Sequence, residues 1–130
     1  MKNGQKPGAM HPEYFRILKA SLEGDLHHDD TLRSLYATDA SVYRELPLAV
    51  AIPRSEADIR QLIAFAGQQG LSLIPRTAGT SLAGQCVGAG IVVDVSVHFN
   101  RILEVNAAES WVRVQPGVIR DDLNRHLKSF

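Results

Sequence analysis

The sequence predicts an α+β fold: a small α/β subdomain with three parallel strands flanked by helices, followed by a hairpin and a helix that begin an antiparallel second subdomain. Two observations carry this prediction. Continuous apolar runs and an amphipathic helix are typical of buried parallel strands with a crossover, and alternating residues after position 100 are typical of an antiparallel pair. With 130 residues, 45% of them hydrophobic, the chain is long enough to bury one core.

The N-terminal part is predicted to hold a flexible start and two helices. Residues 1–10 carry glycine, proline and lysine without periodicity, so we expect them to be flexible. Apolar positions at helical spacing predict a helix over residues 12–23. Asp29 or Asp30 is expected to cap a shorter helix, which makes residues 11–46 an N-terminal helical segment.

Residues 47–100 are predicted to form the parallel α/β subdomain. The apolar run 48–52 indicates a first strand, and Ser55, followed by acidic residues, indicates the start of a helix that Gly70 ends. This helix is expected to bury one stripe of side chains at i, i+3, i+4 and i+7 spacing: Ile59, Leu62, Ile63 and Ala66.

Two further apolar runs complete this subdomain. The run 71–74 follows the helix, and the run 90–95 is continuous and rich in β-branched residues, which is typical of a strand buried on both faces. Because a strand, helix, strand order requires a crossover connection, the strands are predicted to be parallel.

Residues 101–130 are predicted to start the second subdomain. Alternating apolar residues at 102–105 and 111–114 indicate an antiparallel hairpin with one exposed face. A last helix follows, with three apolar residues on one face: Ile119, Leu123 and Leu127. Since this face needs a partner, the hairpin and the last helix are a candidate surface for a dimer.

Charge and cysteine content exclude several functions. The 14 basic side chains balance 14 acidic ones, which disfavours a nucleic-acid or anionic-membrane partner. The single cysteine, Cys86, excludes an intramolecular disulfide, and no apolar run is long enough to span a membrane. The start of the chain lacks a basic and then apolar leader, so we expect a cytoplasmic protein. No metal site is predicted, because the adjacent ligand types of the run 27–30 point apart.

The loop between the second and third predicted strands carries the chemistry. Residues 79–90 hold four of the ten glycines and follow the carboxyl end of a parallel strand, where ligands bind in α/β folds. Small residues let the backbone approach a ligand, and unblocked N–H groups with nearby hydroxyls are suited to a phosphate. Arg76 adds a candidate positive charge. From composition alone, a phosphate site and a plain turn stay equally open.

Two common phosphate-binding motifs are absent from this loop. Residues 79–84 match the glycine spacing of a P-loop, but Gln85 and Cys86 stand where that motif needs lysine and serine or threonine, which disfavours ATP hydrolysis. The dinucleotide fingerprint GxGxxG does not occur in the loop, which disfavours a Rossmann dehydrogenase.

The string Ile74-Pro75-Arg76-Thr77-Ala78-Gly79-Thr80-Ser81-Leu82-Ala83-Gly84-Gln85 closely resembles the pyrophosphate-binding loop of FAD-linked oxidases of the vanillyl-alcohol oxidase and p-cresol methylhydroxylase type. The flanking segments agree in order, so that the resemblance covers about residues 30 to 128. Within that family the sequence is most similar to D-lactate and glycolate dehydrogenases, particularly the long form that is fused to an iron–sulfur part.

The resemblance implies a fold similar to the type-2 FAD-binding domain, of which this chain is an N-terminal piece with an incomplete second subdomain. It implies FAD as cofactor and a small 2-hydroxy acid as substrate of the full-length parent, an FAD-dependent dehydrogenase or oxidase. The chain alone is expected to be inactive, and an iron–sulfur cluster would belong to the missing part. For the parent protein, a membrane-peripheral location stays open beside the cytoplasmic one.

The resemblance also assigns residues to the cofactor. Some relatives bond the flavin covalently to a histidine at the position of Thr80, so threonine implies noncovalent FAD. Thr77 replaces a glycine that is common after the arginine, and a β-branched residue would be strained there if the position needs a positive φ. The cofactor-binding residues implied are Pro75, Arg76, Thr77, Ala78, Gly79, Thr80, Ser81, Gly84, Gln85, Gly117 and Val118.

An alternative function is kept beside this one. A small α/β domain can also serve as a non-enzymatic module that binds a nucleotide or docks a partner protein through its hairpin and last helix. The loop over residues 76–85 discriminates between the two, because only the flavoenzyme requires it to bind FAD.

Overall fold

The structure is a computed structural model that describes residues 12–130, so the predicted flexible start at residues 1–10 lies outside the described part. The elements in chain order are α1 (Pro12–Ser21), β1 (Asp25–His27), α2 (Asp30–Leu35), β2 (Ala49–Ile52), α3 (Glu56–Gln69), β3 (Leu73–Arg76), β4 (Ile91–Asp94), β5 (Ile102–Asn106), β6 (Trp111–Val114) and α4 (Arg120–Leu127). These elements form the α+β fold that the sequence predicts.

The first sheet has the strand order β1, β2, β4, β3, and its three strands β2, β4 and β3 are parallel, as predicted. Every residue of β4 is buried, as predicted for a strand that is covered on both faces of the sheet. The sequence pattern missed β1, which pairs antiparallel with β2 and places Leu26 opposite Ala51. The predicted parallel subdomain is therefore extended by one short antiparallel edge strand.

Helix α3 begins and ends where the sequence predicts. The Ser55 hydroxyl oxygen accepts a hydrogen bond from the Asp58 N–H, and Gly70 ends the helix in the left-handed conformation with φ of 65°. Leu62 is fully buried, but Ile63, one residue further round the helix, is 57% exposed. The buried stripe is therefore narrower than the i, i+3, i+4, i+7 pattern predicts.

The core lies between the sheet and the helices α1 and α3. Its buried members are apolar side chains from two helices and three strands: Phe15, Leu18, Leu26, Ala49, Ala51, Leu62, Ile91 and Val93. Helix α2 packs near β2 and is capped at its start by Asp29, whose side chain accepts a hydrogen bond from the Leu32 N–H. Asp29 is thus the capping residue of the two that the sequence left open.

The second sheet is the predicted antiparallel hairpin of β5 and β6. Its turn contains Ser110 with φ of 57°, and its register shifts between Ile102 and Glu104. Helix α4 follows and has no buried residue. None of the helices within residues 12–130 has the length and hydropathy that a membrane span requires.

Candidate functional site

The glycine-rich loop leaves the carboxyl end of β3 and returns to β4. The backbone N–H groups of residues 77–82 make no hydrogen bond to any acceptor within residues 12–130. The side chains of this segment are small or short except for Leu82, which is 82% exposed. A run of open N–H groups beside the end of a parallel strand is the arrangement that binds an anion such as a phosphate.

Gly79 occupies the central position of this loop. It has φ of 66° and is buried, and its carbonyl oxygen accepts a hydrogen bond of 3.0 Å from the Ala40 N–H. A Cβ added at Gly79 would lie 2.8 Å from Cζ of Arg76. The left-handed backbone conformation therefore favours glycine here, and any side chain at this position would also displace the guanidinium of Arg76.

The Arg76 side chain is held by the segment that follows α2. Its Nη1 donates a hydrogen bond of 2.7 Å to the carbonyl oxygen of Thr38, and its Cζ lies 5.0 Å from the centre of the Tyr36 ring. The guanidinium is thus placed between the Tyr36 ring and the backbone of Gly79. A cation over the face of an aromatic ring is a favourable arrangement.

Tyr36 in turn contacts the end of β4. Its hydroxyl donates a hydrogen bond of 2.6 Å to Oδ2 of Asp94, a carboxylate that is only 5% exposed. Oδ1 of Asp94 accepts hydrogen bonds from the N–H and the hydroxyl of Ser96, at 2.8 and 2.6 Å. Burial and the Asp94 carboxylate raise the pKa of Tyr36 to about 12, although the positive charge of Arg76 opposes the rise.

The loop and the predicted second contact segment meet at one cavity of about 770 Å³. Thr77 and Ala78 line one part of it, and Gly117 and Val118 line another. The remaining lining residues come from the β4–β5 connection, β5, the β6–α4 connection and the start of α4: Ser96, Asn100, Ile102, Pro116, Ile119, Arg120 and Asp122. The structure therefore brings together the two segments that the sequence assigned to a cofactor.

Gly117 lies where two chain segments approach closely. Its N–H donates a hydrogen bond of 2.7 Å to the carbonyl oxygen of Phe99. A Cβ at this position would lie 2.7 Å from that same oxygen and 2.9 Å from Cα of Ser96. Any side chain at Gly117 would therefore push apart the wall of the cavity.

The last predicted residues of the loop are placed apart from this cavity. The Ser81 hydroxyl donates a hydrogen bond to Oε1 of Gln85 at 2.8 Å and accepts one from the Gln85 N–H at 3.2 Å. Gly84 has φ of 73° and packs against the Tyr43 ring in a separate depression of about 300 Å³. Thr80 is exposed, and so is Pro75 within β3.

The strain considered for Thr77 is absent. Among the described residues, positive φ angles occur at Gly70, Gly79, Gly84 and Ser110, and Thr77 is not one of them. The two loop positions that need a left-handed backbone are glycines, so a β-branched residue is tolerated directly after Arg76.

Sequence reasoning missed the residues that contact Arg76 and the end of β4 next to the loop. A chain of hydrogen bonds there joins Tyr36 to Asp94 and Asp94 to Ser96, and Ser96 also lines the cavity. A signal was available, because Asp94 is a carboxylate that ends a strand buried on both faces. A buried carboxylate requires partners, and these lie at the ligand-binding end of the sheet.

Comparison with known proteins identifies the family. A family model described as an FAD binding domain matches residues 47–130. The D-2-hydroxyglutarate dehydrogenase of Pseudomonas putida is 41% identical over 126 residues, which cover 94% of this chain and 12% of that protein. The enzyme of the same name from Escherichia coli K12 is 48% identical over 101 residues, covering 75% of this chain and 10% of that protein. The chain thus spans about a tenth of the length of these relatives.

Solved structures share the fold at low sequence identity. p-Cresol methylhydroxylase superposes with a TM-score of 0.79 and 12% identity, covering 97% of this chain and 26% of that one. 6-Hydroxy-D-nicotine oxidase from Arthrobacter nicotinovorans gives a TM-score of 0.69 and 22% identity over 98% of this chain and 26% of that one. The fold is therefore that of the FAD-linked oxidases, as the resemblance of the loop implies. The chain belongs to the family of FAD-binding domains of flavin-dependent oxidoreductases, and FAD is its cofactor.

Proposed function

We propose that the loop over residues 75–85 holds the pyrophosphate of FAD, and that Gly117 and Val118 contact a neighbouring part of the cofactor. One observation carries this proposal: the run of open N–H groups over residues 77–82 begins at Thr77 and Ala78, which line one cavity together with Gly117 and Val118. Backbone N–H groups bind phosphate oxygens without the entropy cost of ordering long side chains. The residues present therefore fit the cofactor that the family uses.

Each part of the loop has a different role in this proposal. Gly79 provides the left-handed turn that orients the neighbouring N–H groups, and the hydroxyls of Thr77 and Thr80 offer further donors. The Ser81 and Gln85 hydrogen bonds fix the far end of the loop, and Gly84 lets the chain pass Tyr43. Thr80 lacks the imidazole through which some members of the family bond the flavin covalently, which supports noncovalent FAD.

The substrate class follows from the relatives. Relatives named D-2-hydroxyglutarate dehydrogenase and D-lactate dehydrogenase are 41% and 31% identical to this chain, respectively. We infer that the chain is the FAD-binding part of a 2-hydroxy-acid dehydrogenase whose substrate-binding domain and any iron–sulfur part are separate from these residues. FAD supplies the oxidant for such a substrate. This chain binds and orients the cofactor, and by itself it is inactive. The cytoplasmic location and the dimer stay predictions.

The cofactor role is tested by titrating FAD into the 130-residue chain and following flavin fluorescence. We expect saturable quenching that ADP reverses, because ADP carries the same pyrophosphate, whereas riboflavin lacks it and binds less. Gly79→Ala should weaken FAD binding at least about tenfold, the equivalent of one lost hydrogen bond. Gly67→Ala is the matched control, because a Cβ at Gly67, on α3, meets nothing within 4 Å.

Two results would overturn the loop assignment. One is a folded chain that binds no FAD, and the other is a Gly79→Ala variant that binds FAD as tightly as the unaltered chain. The substrate class is tested separately, on the polypeptide that contains this segment and a substrate domain. Reduction of an artificial acceptor by D-2-hydroxyglutarate, D-lactate or glycolate supports it, and no reduction by any 2-hydroxy acid contradicts it.

A further inference from the structure

The guanidinium of Arg76 is held in place by contacts with the protein itself. The Tyr36 ring covers one face with 5.0 Å between Cζ and the ring centre, and the backbone of Gly79 lies against the group as well. Its Nη1 is engaged by the carbonyl oxygens of Thr38 and Tyr36, at 2.7 and 3.5 Å. Three sides of this cation are therefore occupied by the protein itself.

The positive charge of Arg76 also has negative neighbours. The pKa of the Asp39 carboxyl is lowered mainly by the hydrogen bond from Ser41 and in part by the charge of Arg76. Asp94 lies opposite Arg76 in the register of β3 and β4 and contacts the hydroxyl of Tyr36. A cation whose field is shared by two carboxylates contributes less attraction to a phosphate than a free one.

Contacts run from Arg76 to both walls of the cavity. On the loop side, the guanidinium lies against Gly79, whose carbonyl oxygen is held by the Ala40 N–H at 3.0 Å. On the other side, Tyr36 leads through Asp94 to Ser96, whose Cα would lie 2.9 Å from a Cβ at Gly117. The two segments assigned to the cofactor are thus joined by one continuous set of packed and hydrogen-bonded groups.

We propose that Arg76 is a positioning residue of the cofactor loop: its planar guanidinium, held between the Tyr36 ring and the Gly79 backbone, fixes the turn that presents the N–H groups of residues 77–82. The proposal rests on the assignment of this loop to the FAD pyrophosphate. In this role the planar shape of the guanidinium lets it fit between the ring and the backbone. Its positive charge is attracted to the Tyr36 ring and the Thr38 carbonyl oxygen rather than to the phosphate. A lysine ammonium cannot replace it, because it is compact and does not stack flat.

The test compares four single variants and one double variant of the 130-residue chain. Arg76→Lys keeps the charge and loses the planar group, and Arg76→Gln loses the charge and replaces the guanidinium with a shorter and smaller amide. Tyr36→Leu removes the ring, and Tyr36→Phe keeps the ring without the hydroxyl. Arg60→Gln is the control for loss of one positive charge, because Arg60 pairs only with the exposed Glu56 at 3.9 Å among the described residues. The readouts are FAD affinity, and hydrogen exchange of the Ala40 amide in the FAD-free chain.

We expect three single variants each to weaken FAD binding by about tenfold: Arg76→Lys, Arg76→Gln and Tyr36→Leu. The double variant Arg76→Gln/Tyr36→Leu should bind FAD about as tightly as either single variant, since the effects of residues in contact are not additive. Protection of the Ala40 amide should fall by about tenfold in the same three variants, because its acceptor is the Gly79 carbonyl oxygen. Arg60→Gln should stay within about twofold of the unaltered chain in both measurements, which is the size of the additivity error. Tyr36→Phe keeps the ring that covers the guanidinium, so it should lose less than Tyr36→Leu in both measurements.

Two results would overturn the positioning role. If Arg76→Lys binds FAD like the unaltered chain while Arg76→Gln does not, Arg76 acts as a counter-charge. If the Ala40 amide keeps its protection in both Arg76 variants, the guanidinium does not fix the turn. The exchange measurement needs no cofactor, so it decides the role of Arg76 even where the FAD titration fails and the loop assignment falls.

Discussion

Gly24 lies against the carboxylate of Asp58, 34 residues further along the chain. Its N–H donates a hydrogen bond of 2.9 Å to Oδ2 of Asp58, and the neighbouring Glu23 N–H donates one of 2.8 Å to Oδ1. The Arg54 N–H also donates to Oδ2, at 2.8 Å. One carboxylate that is 1% exposed therefore ties the α1–β1 connection to the start of α3.

Removing this carboxylate should lower stability more than most polar substitutions. In Asp58→Ala, the N–H groups of Glu23, Gly24 and Arg54 lose their acceptor while they stay partly buried. We expect the free energy of unfolding to fall by about 3 kcal/mol. Urea denaturation followed by circular dichroism measures the change, and a loss no larger than that of an exposed carboxylate such as Glu56→Ala would contradict it.

The same residue predicts a loss of stability in acid. Burial raises the pKa of Asp58, but hydrogen bonds from the N–H groups of Arg54, Glu23 and Gly24 lower it below the ordinary value. A carboxyl whose folded pKa is depressed stabilises the fold above its unfolded pKa of about 4, and this contribution is lost as the pH falls through the folded value. Urea midpoints measured between pH 7 and pH 3 should therefore fall more steeply for the unaltered chain than for Asp58→Asn.

Two glycine-to-alanine changes should alter the free energy of unfolding in opposite directions. At Gly24 a Cβ would lie 2.9 Å from the Arg54 nitrogen and inside van der Waals distance of the Ile52 carbonyl oxygen, so we expect Gly24→Ala to cost about 2 kcal/mol. Gly67 lies within α3 with open space around it, and Gly67→Ala should stabilise the chain by up to about 1 kcal/mol through helix propensity. Destabilisation by both changes, measured by urea denaturation, would contradict the assigned position of α3.

Two adjacent residues on α3 should differ in how much their replacement by alanine lowers the free energy of unfolding. Leu62 is fully buried against the sheet, so Leu62→Ala leaves a cavity and should cost about 3 kcal/mol in the free energy of unfolding. Ile63 is 57% exposed, and Ile63→Ala should change stability by less than about 1 kcal/mol. Equal losses at both positions would mean that Ile63 is covered in the protein in solution.

The titration of Tyr36 offers a spectroscopic check of the site. Its pKa of about 12 means that the phenol stays protonated well above its ordinary range. Because the folded pKa is raised, the stabilisation is complete below pH 10 and is lost as the pH rises through about 12. The difference in near-ultraviolet absorbance between the unaltered chain and Tyr36→Phe isolates the ionisation of this phenol, and a midpoint near the ordinary tyrosine value of about 10 would contradict the buried contact with Asp94.

The sequence predicted correctly those elements whose ends depend on residues close by in the chain. Ser55 and Gly70 bound α3 because capping and left-handed ends depend on residues at the helix termini themselves. The strand β1 was missed because Asp-Leu-His is too short for periodicity, and only the pairing of Leu26 with Ala51 makes it a strand. The burial of Leu62 but not Ile63 depends likewise on which neighbours the fold supplies.

The same distinction applies to the site. The loop and Gly117 were assigned by their resemblance to a family, and both line the cavity. The support from Tyr36 was invisible, because it joins residues 58 positions apart in the chain through the hydroxyl bond to Asp94. No local pattern encodes that contact, since it exists only once Tyr36, the residue after α2, lies beside the end of β4.

The position of Pro75 limits how this sheet can associate with others. β3 is an edge strand, and the Ile91 and Val95 N–H groups donate to the carbonyl oxygens of Ser72 and Arg76, so the residues between them alternate toward the free edge. Pro75 has no backbone N–H at this edge, so a strand of another chain that paired with β3 would lack one hydrogen bond at this position. The cofactor loop thus starts from an edge at which pairing with the strand of a second sheet is disfavoured.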